Sequence, residues 1–434
     1  MPMLTIIENP GKQSWPGLLA RPVLPSGNLE VTVRKILDDV KNRGDQAVAD
    51  YSLQFDQVNI LNRLVQEQEF ADAEKKLDEN LKAAIRHARQ NIIKFHSNQL
   101  AIEPVVEIEQ GIRCWRKTVP IEKVGLYIPG GSAPLFSTLL MLGVPAVLAG
   151  CDEIVICSPP QKDGSLHPAI LYAAQLTGIR KVFKVGGVQA IASMAYGTAS
   201  IPQVFKIFGP GNQYVTQAKK IIQQEGIAID MPAGPSELAV YADETAIPEF
   251  VAADLLSQCE HGTDSQVILV TGSRIFAEKV NRSLESQVEK LSRKSIALKS
   301  LENSKIFLMP DLSVSIELLN AYAPEHLILA CENAEALASG IRNAGSVFIG
   351  NYAPESAGDY ASGTNHTLPT NGFARAYSGV SIDSFIKKIS FQQLTKEGLG
   401  SIGKTVVDMA LAEGLGAHAT AITIRLPELI INNL

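Results

Sequence analysis

From about residue 123 onward, short apolar runs alternate with segments of helical period, and this alternation constrains the chain more than any other feature. The runs are Val124–Ile128, Glu153–Cys157, Lys181–Val185, Val204–Phe208, Leu238–Tyr241, Val267–Val270, Ile306–Met309, His326–Ala330 and Ser346–Ile349. Strands buried on both faces read as continuous apolar runs, and intervening helices imply parallel sheets covered on both sides. Nine runs are many for one sheet, so two α/β domains are expected. Upstream, Val33, Ile36, Leu37 and Val40 recur at helical spacing. Gly44 then supplies a stop, and Asp45 opens a second helix carrying Val48, Tyr51 and Phe55. Leu77, Leu81, Ile85, Ala88, Ile92 and Phe95 mark a longer amphipathic helix. Its His87 and His96 have no partner acid or second ligand at useful spacing and read as partly exposed surface histidines. From about Ser378 the pattern is again mostly helical, and the closing apolar run Ala421–Leu426 has strand character.

Charge and cysteine content narrow the function. Lys+Arg 39 against Asp+Glu 45 leaves −6, with no basic surplus for nucleic-acid phosphates. The longest apolar stretch, Leu139–Gly150, contains Pro145 and is too short to span a bilayer. The opening residues lack the basic and apolar regions of a signal peptide. Five scattered cysteines (114, 151, 157, 259 and 331) form no CxxC pair and read as reduced thiols of a cytoplasmic protein.

Three glycine-rich turns follow expected strands: Pro129-Gly130-Gly131-Ser132, Gly186-Gly187 and Gly209-Pro210-Gly211-Asn212. Glycine lets backbone amides approach an anion, and the next helix points its positive end there. Any one such turn is ordinary β-α punctuation; three in one segment point to a nucleotide or phosphate ligand. The literal GxGxxG at 398–403 follows a polar stretch, not a buried strand, and no acid stands about 20 residues on to hold a ribose. It is not a dinucleotide fingerprint.

Other segments carry chemistry-bearing side chains. Gln258 and His261 stand three apart at a helix end and share a face that could hold a metal, although a histidine near a helix C-terminus is commonly only a favourable charge. Glu325 and His326 immediately precede a strand, and Pro324 makes an irregular entry from which both can reach one substrate. The polar, glycine-rich stretch Pro354–His366 reads as a functional loop. Glu413 and His418 flank a Gly-Leu-Gly-Ala turn. Cys259, between Gln258 and Glu260, could be a nucleophile, but no neighbouring base or oxyanion motif is specified, and a small buried helical cysteine is the better reading.

Together Gly125–Gly131, Phe208–Asn212, Asp230–Glu237, Ser257–Gly262, Pro324–His326 and Gly358–His366 resemble the histidinol dehydrogenase family, in order and spacing, over essentially the whole chain. The resemblance implies NAD-dependent four-electron oxidation of L-histidinol to L-histidine through bound L-histidinaldehyde, the final steps of histidine biosynthesis. It also implies a homodimer with one zinc ion per active site. Carried over by position, the zinc ligands are Gln258, His261, Asp359 and His418; these, with Ser236, His326 and Glu413, surround the substrate. Tyr127, Gln189 and Asn212 match NAD contacts, and Glu325 and His326 match the proton acceptors. Cys259 matches no catalytic position, and His366 lies in a family motif without a role carried over. The implied fold is two incomplete Rossmann-like domains with mainly parallel sheets, a small N-terminal segment and a C-terminal tail domain. Its expected boundaries are 1–22 for the segment, 23–123 with 238–377 for the larger domain, 124–237 for the second, and 378–434 for a tail that contacts the partner subunit. Read from the residues alone, a zinc-dependent amidohydrolase, in which Glu325 activates water without a cofactor, is the competing function, and a two-domain binding protein with structural histidines is a third.

Overall fold

The computed structural model describes residues 3–22, 27–60, 62–100, 102–130, 134–232 and 234–427. Gly131 and Ser132 of the first glycine turn, and Ala233 of the Asp230–Glu237 run, lie outside these residues. In chain order the strands are β1 (Thr5–Glu8), β2 (Val106–Glu109), β3 (Ile112–Pro120), β4 (Lys123–Tyr127), β5 (Glu153–Ser158), β6 (Lys181–Lys184) and β7 (Lys206–Phe208). They continue with β8 (Ala228–Ile229), β9 (Glu237–Ala242), β10 (Gln266–Thr271), β11 (Lys305–Leu308), β12 (His326–Ala330), β13 (Ser346–Ile349) and β14 (Ile386–Leu394). Each of the nine apolar runs forms a strand, β4–β7 and β9–β13.

One compact unit comprises Met1–Gln99 and Ile121–Phe385 and holds two parallel sheets. The first has the order β6-β5-β4-β7-β8. Val124, Leu126, Ile128, Ile156 and Val182 point to one face, where helices Phe136–Ala149 and Pro168–Thr177 pack together with Glu67–Lys76 and Glu79–His96. Val155, Cys157, Phe183 and Ile207 point to the other, covered by Gly187–Tyr196, Gln213–Gln224 and the N-terminal helix Leu29–Arg43. The apolar stretch beginning at Leu139 is therefore core: Phe136–Ala149 is buried along Ser137–Ala146 because it lies between a sheet and other helices. Residues 29–96 cover this first sheet, whereas the sequence reading grouped 23–123 with 238–377. Their periodicity shows which side of each helix is apolar, but not which sheet that side will meet.

The second sheet has the order β1-β11-β10-β9-β12-β13. One face is covered by Pro248–Cys259, Arg274–Val288 and Lys294–Glu302; the other by Leu312–Tyr322, Ala334–Ala338 and the side chains of Trp15 and Leu19. Val251, Leu255 and Leu256 are almost fully buried under Pro248–Cys259, and each contributes about 1.5–3 kcal/mol to its docking. The opening residues are not a separate segment, since β1 pairs in register with β11 from Thr5↔Lys305 to Glu8↔Leu308.

The second unit comprises Leu100–Pro120 and Ile386–Leu434. It is an antiparallel sheet, β14-β3-β2, with helices Lys396–Ala412 and Gly416–Thr423. Here the sequence reading needs three corrections. Residues 100–120 belong with the tail. The tail is not mostly helical at its start, where β14 pairs along the whole of β3. Ala421–Leu426 is no strand: it begins inside a helix whose Ala419 and Ile422 pack on Val407 and Ala410. The GxGxxG sequence lies inside helix Lys396–Ala412, and a Cβ at Gly398 would come within 2.5 Å of the Gly111 carbonyl oxygen, so that glycine serves close packing. Among the described residues no helix is long and apolar enough to cross a membrane.

Candidate active site

The site residues of the first unit gather where β9 and β12 begin, at the point where the strand order of the second sheet reverses. Helix Leu312–Tyr322 ends on Ala323 in the left-handed region (φ 53°), a conformation costing an alanine about 1 kcal/mol. Pro324 then redirects the chain into β12. This irregular entry keeps Glu325 and His326 together, with Glu325 Oε2 3.7 Å from His326 Nδ1. The main chain of Glu237 touches both: its N–H donates to Glu325 Oε2 at 2.9 Å, and its carbonyl oxygen lies 3.4 Å from His326 Nδ1. Glu325 and His326 are buried, at 7% and 3% exposure. Burial pushes the Glu325 carboxyl up to about 7. For His326 burial opposes the charged form, but the facing carboxylates of Glu325, Asp359 and Glu355 prevail and raise it to about 10.

The remaining groups arrive on returning helices. Pro248–Cys259 leaves the far end of β9 and comes back to the edge where β10 starts, which delivers Gln258 and, just past the helix, His261. Glu355–Tyr360 follows β13 in the same way and delivers Asp359. Its Gly358 permits this approach, because a Cβ there would stand 2.6 Å from the Phe348 ring. Asp359 Oδ1 lies 3.4 Å from His326 Nε2. Despite burial, which opposes ionisation, His326 and its charge hold the Asp359 carboxyl below the usual range. Potential ligand atoms of His261, Glu355 and Asp359 all fall within 4.8 Å of one another. Glu355 had no role in the sequence reading. It is one acid in a polar loop, and only its burial, at 1% exposure, sets it apart. The Gln258 amide faces it, and with the amide nitrogen on that side it donates to both carboxylate oxygens, at 2.5 and 2.9 Å.

Ser236 directly precedes β9 and is partly buried. His366 Nδ1 is 2.9 Å from the Asp359 carbonyl oxygen and Nε2 is 3.1 Å from Thr138 Oγ1, so the ring ties the Asp359 turn to helix Phe136–Ala149. Cys259 is fully buried, and burial pushes its thiol up to about 12, as befits packing and not nucleophilic attack. His96, expected at the surface, is instead buried, with Nδ1 2.9 Å from Gln99 Oε1. Glu413 and His418 belong to the second unit, where both are exposed, Glu413 at the end of helix Lys396–Ala412 and His418 within Gly416–Thr423.

Tyr127, Gln189 and Asn212 lie at the carboxyl ends of β4, β6 and β7 in the first sheet. The strand order reverses between β4 and β7, and open α/β sheets bind nucleotides in the crevice at such a point. Tyr127 Oη accepts from the Gly187 N–H at 3.2 Å. Asn212 Oδ1 accepts from the N–H groups of Tyr214 and Val215, capping helix Gln213–Gln224. Gly209 adopts φ 122°, and any Cβ there would collide with the Tyr127 carbonyl oxygen. Gln189 Nε2 lies 3.5 Å from Asp56 Oδ2, while its buried Oε1 has no hydrogen-bond partner among the described residues.

A family model described as histidinol dehydrogenase matches residues 19–426. The chain belongs to the histidinol dehydrogenase family. It is 56% identical over 424 residues to the histidinol dehydrogenase of Bacteroides thetaiotaomicron, covering 98% of this chain and 99% of that one. It is 49% identical over 411 residues to that of Escherichia coli O6:H1, covering 94% of each. The crystal structure of histidinol dehydrogenase from Elizabethkingia anophelis superposes with a TM-score of 0.97 at 51% identity, covering 99% of both chains. An amidohydrolase finds no support in these matches. The donor groups fit the zinc expected of the family: amide oxygen, imidazole and carboxylate are suitable hard-to-borderline ligands. Asp359 Oδ1 is buried and accepts no hydrogen bond among the described residues; with only His326 Nε2 near it, at 3.4 Å, the oxygen keeps a lone pair for a cation.

Proposed function

We propose that this chain oxidises L-histidinol to L-histidine with NAD⁺ through bound L-histidinaldehyde, the closing steps of histidine biosynthesis, as a cytoplasmic homodimer. The observation that carries this reading is the buried Glu325–His326 pair, 3.4 Å from Asp359 and beside Gln258 and His261. In the proposal Gln258, His261, Asp359 and the partner's His418 hold zinc, and Ser236, His326 and the partner's Glu413 complete the substrate pocket. Zinc supplies a fixed positive template suited to the imidazole nitrogen and amine of histidinol. Two NAD⁺ in succession, held by Tyr127, Gln189 and Asn212, would supply the two hydride acceptors.

The protein's own groups move the protons. His326 takes the hydroxyl proton of histidinol in the first oxidation. Glu325, whose proton affinity burial has brought to about 7, suits a general base near neutrality and takes a proton from the water that attacks the aldehyde. His326, once it has released its first proton to solvent, takes a proton from the resulting hydrate as the second hydride leaves. Neutralising any of the three carboxylates that lift His326 brings it toward the range of a working base. Retaining the aldehyde at the site between the two oxidations keeps a reactive species from solution.

Adding histidinol to the protein with NAD⁺ and following NADH absorbance tests the activity; absence of NADH overturns it. The shared site is tested by coexpressing a His326→Asn chain with a His418→Asn chain. Random pairing of chains with exchanged tails leaves one intact site in half the dimers and restores roughly a quarter of wild-type activity. Activity at the level of either variant alone contradicts the exchange.

A further inference from the structure

We infer that Glu355 is a positioning residue that turns the Gln258 amide so that its oxygen, and not its nitrogen, is offered to the metal. The inference rests on the zinc site proposed above and assigns a role to a side chain outside its ligand set. The two ends of a glutamine amide have nearly the same shape, so packing alone does not choose between them. The choice matters at a metal, because the amide nitrogen has no available lone pair and the oxygen does.

Gln258 and Glu355 are each 1% exposed, so neither can settle its hydrogen bonds with bulk water. In its ionised form, which a cation at the neighbouring site favours, Glu355 only accepts and an amide nitrogen only donates, and the Gln258 nitrogen can then reach Glu355 Oε1 and Oε2 at 2.5 and 2.9 Å. Ser257 Oγ lies 3.5 Å from the same Oε2. With the amide nitrogen on that side both Glu355 oxygens are engaged by neighbours, whereas Asp359 Oδ1 accepts no hydrogen bond among the described residues and has only His326 Nε2 at ion-pair distance, 3.4 Å. That contrast separates the two acids of helix Glu355–Tyr360. One turn apart, they share a helix face. Asp359 has an oxygen to give to a cation, and Glu355 spends its oxygens on the ligand next door. The arrangement is the amide counterpart of the outer-shell carboxylates that fix metal-bound histidines.

The test measures zinc affinity of the full-length protein by chelator competition. Glu355→Met removes both acceptors at similar volume, and affinity should fall about 10- to 100-fold. Glu355→Gln keeps one acceptor oxygen for the Gln258 nitrogen and should restore affinity to within about threefold of wild type, since the hydrogen bond and not the charge sets the amide. On a Gln258→Ala background, Glu355→Met should cost nothing further. In cobalt(II)-substituted protein, Glu355→Met should alter the visible ligand-field bands as Gln258→Ala does, a change that general loosening of the fold would not produce. Equal losses for Glu355→Met and Glu355→Gln would make Glu355 a ligand or a charge partner and overturn the inference. So would additive losses on the Gln258→Ala background, or full affinity in Glu355→Met. Wild-type protein that binds no zinc, or a His261→Asn variant that binds it normally, would instead contradict the metal site itself.

Discussion

Arg21 is the residue whose loss should damage the catalytic centre most without touching it. Its Nε and Nη2 donate to the two oxygens of Glu237 at 3.0 and 2.8 Å, Nη2 also donates to the Tyr322 carbonyl oxygen at 2.6 Å, and the guanidinium lies 3.9 Å from the Tyr322 ring centroid. Glu237 is fully buried, and burial pushes its carboxyl up even with Arg21 alongside. The Asn371 N–H also donates to its Oε1 at 2.5 Å, and the Glu325 main chain further favours the ionised carboxylate. Arg21→Met therefore strands a buried carboxylate, for which the expected loss is about 3–5 kcal/mol, with up to about 2 kcal/mol more from the ring contact. This is a large part of the 5–15 kcal/mol net stability typical of a folded protein. The deficit has a pH signature. Once unpaired, Glu237 binds a proton more tightly in the folded than in the unfolded chain, so stability falls as pH rises above about 4, and the deficit grows toward neutrality. Because the Glu237 main chain contacts both Glu325 and His326, kcat should fall in the same variant. Arg21→Met with Glu237→Gln removes the stranded charge and should recover most of the stability. Urea unfolding of metal-free protein at pH 5 and 8, with kcat for each variant, is the assay. An Arg21→Met loss below about 1 kcal/mol, or a double variant no more stable than the single one, would refute the reasoning.

Three further outcomes are expected. Gly358→Ala places a methyl group 2.6 Å from the Phe348 ring, which should cost about 1–3 kcal/mol and weaken zinc retention through the adjacent Asp359, as unfolding and metal analysis will show. Burial raises Asp254 to about 7, so the native carboxyl favours its protonated form and its contribution to stability declines as pH rises from about 4 through 7; Asp254→Asn should be more stable than wild type at pH 8 and indistinguishable below about pH 4 in thermal unfolding. Glu325→Gln should impair oxidation of supplied histidinaldehyde more than the first hydride transfer, and His326→Asn should impair both; equal losses in both half-reactions for both variants would contradict the division of labour.

The parallel sheets are legible in the sequence because their strands are buried on both faces, as in Leu238–Tyr241 and Val267–Val270. The antiparallel sheet of the second unit is not. Its β14 reads IKKISFQQL, with every residue exposed or half-buried, so it lacks the apolar continuity that marks the other strands. Short edge strands such as β1 and β8 carry too few residues to show a period. At the site, Glu325, His326, Gln258 and His261 stand out as adjacent or helix-spaced pairs, and the family resemblance adds Asp359, Ser236, Glu413 and His418. Glu355 and Arg21 are invisible at that level. Their significance lies in what they meet across the fold, Gln258 and Glu237, far away in the chain.

The central claim is that a single site performs both oxidations without releasing the aldehyde. It is tested most directly by counting NADH formed per histidinol consumed under single-turnover conditions, with semicarbazide present to trap any free aldehyde. The account predicts two NADH per histidinol and no trapped product. One NADH per histidinol with accumulating semicarbazone would contradict it.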